Sequence, residues 1–417
     1  MTDRLVRQPA LRKLTNRDVV FQLLRTLRQT TRTDLARRSG LSKATMTEVV
    51  DGLLAEGFVR EAGKRALARG RSQVVLEFVP ETRLVLGAHL LDQTCTVVLT
   101  DLYAQPRARA IRQLAGTTPD DFVAAICAAA EELRAQAGAP ILGLGVGAPG
   151  SVDPRGREVT ISVPYGWKNV PLADLLEARL GLPVILANRA KVAALGEVWQ
   201  GEHAAIDPLV YVYVGSGIVA GIVIGGRLYF GASGAAGELG HVTILPDGPL
   251  CGCGNTGCLH TLVSEEALLR RVRAKLRASD GSSDLTSHTA GHLGQLTLGV
   301  VRTAAQQGDL LVLEALAETG AYLGLALANL VNLINPRMVV LGGPIPDIGE
   351  AFLEPVRREV RRRALWDVLA DLAIVPSALG DEAGPIGAAA LLLDRLAAIG
   401  ADGHLPAEQA AGREAGA

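Results

Sequence analysis

The chain has 417 residues, 48% hydrophobic and 20% charged, which excludes a mainly disordered protein and supplies a sizeable core. Residues 1–75 carry 16 basic and 7 acidic side chains, whereas the rest carries 26 and 36. This asymmetry predicts a basic module that binds a polyanion, joined to a mildly acidic globular body. Five cysteines exclude a disulfide scaffold. The first residues contain no apolar segment of the signal-peptide type, so we expect a cytoplasmic protein.

Residues 1–80 have the pattern of a winged helix-turn-helix domain. Apolar residues recur at a spacing of three and four in the first predicted helix, and Gly40 lies where the chain turns between the next two helices. The predicted elements are, in chain order, a helix with Asn16 as its N-cap, the helix Arg32–Ser39, a helix from Ser42 to about Glu56, and two strands, Phe58–Ala62 and Gln73–Phe78, joined by a basic loop.

Short side chains near the start of the third helix are candidates for contacts to base edges in the major groove of double-stranded DNA. They are Ser42, Lys43, Ala44, Thr45 and Thr47. Arg69 and Arg71, in the loop between the two strands, would form a wing that reaches phosphates or a narrow minor groove. The alternative is a small helical domain with a solvated basic face. Charge, helix spacing, glycine turn and wing together favour DNA binding.

Strands and helices alternate over the following 300 or so residues, which predicts an α/β body. Two charge-free stretches, Pro208–Gly226 and Thr319–Pro336, need a membrane check. The first contains five glycines and the second contains three asparagines at helical spacing, whose amides would lack partners in lipid. We therefore expect buried core in a protein without a membrane segment. Residues 399–417 are predicted to form a flexible tail.

Three cysteines and a histidine lie close together in the sequence, at His241, Cys251, Cys253 and Cys258. Four nitrogen and sulfur ligands complete the tetrahedral shell of Zn2+ and leave no open position for a catalytic water. The pattern therefore predicts a structural zinc site. Three free buried cysteines and a catalytic zinc are the alternatives.

The segment from Gly234 to His241 (GAAGELGH), followed by Cys251–Cys258 (CGCGNTGC), resembles the signature of the ROK family, which comprises repressors, open reading frames and sugar kinases. The resemblance extends from about residue 84 to 395. With the winged helix in front, the layout is similar to the xylose/N-acetylglucosamine-repressor branch. It implies an actin-like body of two α/β lobes, residues 81–200 and 201–398, with a sugar in the cleft between them and zinc bracing the cleft.

The sequence departs from the family kinases at two positions that matter for phosphate transfer. Kinases of the family hold nucleotide phosphates with an Asp-x-Gly-Gly-Thr turn. The matching run here, Gly87–Thr94, has neither the Asp nor the two glycines at the corresponding positions, and it contains the bulky Leu91. Their general base is the Asp of an Asn-Asp pair, which is Asn188-Arg189 here. Because a guanidinium cannot take up the proton of a sugar hydroxyl, we expect no kinase activity.

The resemblance assigns sugar hydroxyl contacts to Asn188, Glu238 and His241. A glutamate usual in the family is replaced by His260, and the usual aspartate by Arg189. The cleft thus becomes neutral to basic, which suggests an anionic sugar derivative as the ligand. Alternatively, Arg189 pairs with Glu238 in an empty cleft.

The favoured hypothesis is a transcriptional regulator, specifically a repressor, that senses a sugar or sugar derivative. It would bind a palindromic operator as a homodimer or homotetramer. The alternatives are an active sugar kinase with a fused DNA-binding module and a DNA-binding protein that responds to no ligand.

Overall fold

The computed structural model describes residues 15–66, 72–91, 93–202, 206–279, 294 and 296–396. The N-terminal unit is a winged helix in which β1, β3 and β2 form one antiparallel sheet in that order. Its elements are α1 (Asn16–Leu27), β1 (Gln29–Thr31), α2 (Arg32–Ser39), α3 (Lys43–Ala55), β2 (Val59–Ala66) and β3 (Ser72–Phe78).

Capping side chains determine where these helices begin. Thr15, rather than the predicted Asn16, caps α1, because its hydroxyl accepts the backbone N–H of Asp18 while the Asp18 carboxylate accepts the backbone N–H of Thr15. The prediction that the first wing strand ends at Ala62 is also wrong. All residues of β2 after Val59 are exposed, so no alternation of apolar residues marks the strand in the sequence.

The first lobe of the body is built on a five-stranded sheet in the order β11-β7-β4-β5-β6, with a small three-stranded sheet, β10-β9-β8, beside it. Its elements are β4 (Leu84–Leu91), β5 (Thr94–Thr100), β6 (Pro106–Gln113), α4 (Pro119–Ala135), β7 (Ile141–Ala148), β8 (Ser151–Val152), β9 (Val159–Ser162), β10 (Trp167–Val170), α5 (Leu172–Leu180) and β11 (Val184–Asn188).

The second lobe repeats this topology in a sheet ordered β14-β13-β12-β15-β16. In each lobe the first strand pairs antiparallel with the next strand and parallel with a later one. The remaining elements are α6 (Arg189–Gln200), β12 (Leu209–Val214), β13 (Ile218–Ile224), β14 (Arg227–Leu228), α7 (Leu259–Val263), α8 (Glu265–Ala278), α9 (Leu298–Gln306), α10 (Leu310–Ile334), β15 (Met338–Gly342), α11 (Glu350–Arg363), α12 (Trp366–Leu369), β16 (Ala373–Pro376) and α13 (Ala383–Leu396).

Helices α6 and α13 cross where the two lobes meet. A Cβ at Gly387 would lie 1.6 Å from the carbonyl oxygen of Val192, and one at Gly196 would lie 2.1 Å from that of Ala383, so only glycine allows this approach. Alanines of α6 pack on the sheet of the second lobe, and Val192 and Leu195 face the first lobe. The predicted span 201–398 therefore includes a helix, α13, that packs on the first lobe.

Among the described residues one helix, α10, is long and apolar enough to cross a membrane by length and composition. Its buried side chains, such as Leu316, Leu323 and Leu327, belong to the core cluster of the second lobe. Asn332 accepts a hydrogen bond from the backbone N–H of Leu365 at 3.0 Å. These contacts are typical of a core helix in a globular protein.

Candidate functional site

The start of α3 presents the candidate DNA contacts. Ser42 is the N-cap of α3, since its hydroxyl accepts the backbone N–H of Thr45 at 3.2 Å. The hydroxyls of Ser42 and Thr45 are also 2.9 Å apart. Lys43, Ala44 and Thr47 are exposed, whereas Thr45 is half-buried. The structure thus gives Ser42 and Thr45 a local role in starting the helix and leaves Lys43, Ala44 and Thr47 exposed on its surface, where the Thr47 hydroxyl donates to the carbonyl of Lys43 at 2.9 Å.

The turn between α2 and α3 places this surface in the geometry of a helix-turn-helix. Gly40 ends α2 in the left-handed conformation, with φ of 71°, and its N–H closes the helix on the carbonyl of Ala36. Leu35, Met46 and Val50 are buried between the helices. The wing is the β2–β3 hairpin, and Arg69 and Arg71, which the sequence assigns to the loop between the two strands, lie outside the described residues.

The predicted zinc ligands converge in space. The ligand atoms of His241, Cys251, Cys253 and Cys258 all lie within 4.8 Å of one another. Cys253 Sγ is 3.7 Å from Cys258 Sγ, and Cys251 Sγ is 3.7 Å from His241 Nδ1. Two sulfurs that bind one tetrahedral zinc with bonds of about 2.3 Å would be about 3.8 Å apart, so the donor set and its spacing fit a metal.

A tightly folded loop holds the three thiols. The N–H of Cys251 donates to the carbonyl of Asn255 at 2.7 Å, and the backbones of Thr243 and Cys258 form an antiparallel β-bridge. A Cβ at Gly257 would lie 1.5 Å from the carbonyl oxygen of Leu245, so the loop can close only with glycine there. A backbone hydrogen bond at Asn255 lowers the pKa of the exposed Cys253 thiol to about 7. A lowered pKa favours the thiolate, which is the form that binds metal. Burial raises the pKa of the neighbouring Cys258 thiol, so this advantage applies to Cys253 and not to Cys258.

The candidate ligand cleft begins where β11 leads into α6. Asn188 is buried at this junction; its Oδ1 accepts the N–H of Ala190 at 2.9 Å and its Nδ2 donates to the carbonyl of Gly150 at 2.8 Å. Arg189 is the first residue of α6. Its guanidinium lies 5.0 Å from the centroid of the Tyr213 ring and donates to Ser216 Oγ at 3.3 Å. Arg189 therefore reaches from α6 to the glycine turn of the second lobe.

Glu238 lies on the other side of this cleft. Its Oε1 accepts a hydrogen bond from Ser151 Oγ at 3.4 Å, which links the second lobe to the Ala148–Asp153 segment of the first. Lys191 is 2% exposed; its Nζ donates to the carbonyl of Gly234 and lies over the Phe230 ring. Burial lowers the pKa of Lys191, and the Glu238 carboxylate partly opposes this effect.

Ser151 is a candidate site residue that the sequence did not identify, whereas the sequence placed Lys191 near the cleft and left the direction of its side chain open. Ser151 begins β8, and nothing in the sequence pairs it with Glu238. Lys191 follows the Asn188-Arg189 pair by two residues, and its direction depends on the packing of α6 against the loop at Gly234. Two cationic side chains of α6, Arg189 and Lys191, thus lie near the start of that helix together with the Glu238 carboxylate. Asp153 and Arg395 also line the small pocket beside Asn188 and Lys191.

The zinc ligand cluster and the cleft share one short segment. Glu238 directly precedes a 3-10 turn, Leu239–His241, which ends at the metal-ligand candidate His241. His260 lies in α7, with its ring centroid 6.3 Å from that of His241. Burial lowers the pKa of His260, and His241 lowers it further. A metal held by this cluster would therefore fix the position of Glu238 as well.

Gly87–Leu91, which the sequence resemblance aligns with the kinase phosphate loop, forms the end of β4, beside α6. His89 in this run is 9% exposed, and burial lowers its pKa to about 4. A Cβ at Gly384 of α13 would lie 2.4 Å from the His89 ring. The imidazole thus fills the space between β4 and α13.

A family model described as "ROK family" matches residues 92–395. The chain belongs to the ROK family. A second model, "MarR family", matches residues 19–61, so the N-terminal unit is a MarR-type winged helix. The xylose repressor of Caldicellulosiruptor bescii is 30% identical over 387 residues, which cover 92% of this chain and 96% of that protein. These matches confirm the family and the branch that the sequence motifs indicated.

Two solved structures support the same assignment. A ROK family transcriptional regulator, described as a homologue of the MLC protein of E. coli, aligns with a TM-score of 0.81 and 29% identity over 92% of this chain and 96% of its own. A ROK family glucokinase from Streptomyces griseus, solved with glucose and AMPPNP, aligns with a TM-score of 0.67 and 32% identity over 74% and 98%. The chain therefore has the layout of a ROK transcriptional regulator, a winged helix followed by an actin-like α/β body.

Proposed function

We propose that this chain is a DNA-binding repressor of transcription whose ROK body binds a sugar or sugar derivative without phosphorylating it. The observation that carries the proposal is the combination of an exposed recognition-helix surface at Lys43 and Thr47 with a cleft in which Arg189 stands at the position of the kinase base. The relatives named xylose repressor support a sugar as the effector. We expect a cytoplasmic homodimer or homotetramer on a palindromic operator.

Within this proposal, Zn2+ is held by His241, Cys251, Cys253 and Cys258. The metal supplies a structural cross-link, because four protein ligands leave no position for a reacting water. Asn188, Glu238, His241 and His260 hold ligand hydroxyls. Ser151 and Lys191 position the Glu238 carboxylate and the loop before it.

Three measurements on the purified full chain test this function. Selection from a random-sequence DNA pool should yield a palindromic consensus. Calorimetry against D-xylose, D-glucose and N-acetyl-D-glucosamine should detect binding of at least one sugar, which should weaken binding to the selected DNA. Incubation with ATP and the same sugars should give no sugar phosphate above the no-enzyme blank. Turnover would favour the fused-kinase alternative, and a flat sugar response would favour the ligand-independent one.

The charge of the cleft favours an anionic ligand over a neutral one. Arg189, Lys191 and Arg395 bring three cationic groups to this region, against the carboxylates of Glu238 and Asp153. A guanidinium binds phosphate or carboxylate through two parallel hydrogen bonds. We therefore propose that Arg189 binds the anionic group of a sugar phosphate or sugar acid.

Calorimetry with D-glucose and D-glucose 6-phosphate as a matched pair tests this preference. We expect the phosphorylated sugar to bind at least ten-fold more tightly, and Arg189→Ala to remove most of the difference. Arg361→Ala, the same change on the exposed face of α11, should leave the preference intact. Tighter binding of the neutral sugar, or an unchanged preference in Arg189→Ala, would contradict the proposal.

A further inference from the structure

Helix α6 runs from the candidate ligand cleft to the DNA-binding module. Its first turn carries Arg189 and Lys191, and its last turn carries Trp199 and Gln200. Twelve residues at a rise of about 1.5 Å make the helix about 18 Å long. A single rigid element therefore contacts both functional ends of the protein.

The last turn of α6 packs directly against the winged helix. The guanidinium of Arg25, from α1, lies 4.3 Å from the centroid of the Trp199 ring. Gln200 Nε2 donates to the carbonyl of Tyr103. The Tyr103 ring in turn lies 5.5 Å from the Phe78 ring and 4.9 Å from the Arg28 guanidinium. Buried residues of the module and of the first lobe consequently form one continuous core cluster.

Helix α13 approaches the same arginine from a second direction. Burial lowers the pKa of Arg25, and the charge of Asp394 on α13 partly restores it. Burial likewise raises the pKa of Asp394, against the effect of Arg25. Arg25 Nη2 donates to Gln22 at 3.0 Å, and Nη1 is buried without a hydrogen-bond partner in the described part of the chain. Because this buried Nη1 lacks a hydrogen bond, the half-buried Arg25 guanidinium should be sensitive to small shifts of the groups around it.

The two helices cannot move independently at their crossing. The carbonyl of Val192 would meet any Cβ at Gly387, and the carbonyl of Ala383 would meet any Cβ at Gly196. A displacement of the first turn of α6 is therefore transmitted to Trp199 on α6 and to Asp394 on α13 together.

We propose that α6 and α13 move as one unit when a ligand binds in the cleft, and that this movement reaches the winged helix through the contacts of Arg25 with Trp199 and Asp394. The inference rests on the proposed function, because it assigns a route by which ligand binding changes DNA affinity. A ligand that displaces Arg189 from Ser216 acts on the helix that ends under Arg25. Arg25 and Trp199 are positioning residues and contact neither DNA bases nor ligand in this scheme.

The test compares DNA affinity with and without sugar in matched variants of the full chain. The DNA is the fragment selected by the wild type, and the sugars are D-glucose, D-glucose 6-phosphate and D-xylose at saturation. We expect sugar to change the Kd for DNA at least ten-fold in the wild type and less than two-fold in Arg25→Met and Trp199→Leu. The sugar affinity of both variants, measured by calorimetry without DNA, should stay within a factor of three of the wild-type value. Arg17→Met removes the same charge from α1 at a residue paired with Glu56 inside the module and should keep the full response.

A second measurement needs no sugar. Arg189→Ala and Arg25→Met, alone and together, should give DNA affinities that deviate from additivity at least five-fold if the two ends are coupled. Arg25→Lys retains the charge and serves as the conservative variant. Thermal unfolding of each variant checks that the chain still folds. Additive effects, or a full sugar response in Arg25→Met and Trp199→Leu, would overturn the inference. A wild type that binds no sugar but shows coupled Arg189 and Arg25 effects would instead contradict the proposed function alone.

Discussion

Replacing Gly387 with alanine should force α6 and α13 apart. The new Cβ would lie 1.6 Å from the carbonyl oxygen of Val192 and 2.6 Å from the backbone nitrogen of Gly196, where ordinary contacts begin at 3.4 Å. The helices would have to separate by more than about 1.5 Å, because both opposing atoms belong to the backbone and no rotamer change relieves the clash. Overpacking costs about 1–3 kcal/mol when side chains can adjust. Here we expect at least about 3 kcal/mol.

Denaturant unfolding followed by circular dichroism measures this cost. The matched control is Gly299→Ala in α9, where the new Cβ would meet only the Thr297 hydroxyl, at 3.7 Å. Alanine in place of glycine stabilises a helix interior by about 0.8–1.0 kcal/mol, and at the second residue of α9 we expect a smaller gain of the same sign. The two substitutions should therefore change the free energy of unfolding in opposite directions.

The outcome also bears on the route between the cleft and the winged helix. If Gly387→Ala still folds, the separated helices should no longer move together. The effect of sugar on DNA affinity should therefore fall. A loss of stability below about 1 kcal/mol, together with an unchanged sugar response, would refute the claim that the crossing is rigid.

Three further predictions address the DNA surface, the metal and the cleft. Thr47→Ala should weaken binding to selected DNA by about 1–3 kcal/mol and leave binding to random DNA unaffected, as measured by fluorescence anisotropy. Thr45→Ala should mainly lower the thermal stability of the module, as measured by calorimetry. Cys253→Ser should reduce the zinc content from one per chain and weaken sugar binding more than DNA binding; absence of zinc in wild type purified without chelator would contradict the site. Lys191→Met should lower sugar affinity at least five-fold with little change in DNA affinity without sugar, and unchanged calorimetric binding would exclude a role for Lys191.

Features encoded in short contiguous segments were predictable from the sequence. The helix bounds Arg32–Ser39 and the convergence of the four metal-ligand candidates follow from local spacing and glycine placement. The repeated sheet topology of the two lobes was not visible, because it depends on the order of strand pairing and not on similar side chains. Nor was the contact between Arg25 and Trp199, since each residue alone reads as an ordinary surface or core side chain. Such contacts are fixed by how distant elements pack.

The position that argues against catalysis is also the start of the proposed route to DNA. The resemblance to ROK kinases would place an aspartate general base at this position, whereas Arg189 carries a positive charge and reaches Ser216 and the Tyr213 ring in the second lobe. Because Arg189 is the first residue of α6, a ligand group that competes for its guanidinium alters how that helix is held. The far end of α6 lies under Arg25 of the winged helix. Under the proposed function, this one position would both lack a general base and let a bound ligand change DNA affinity through α6, with the fold of either lobe unchanged.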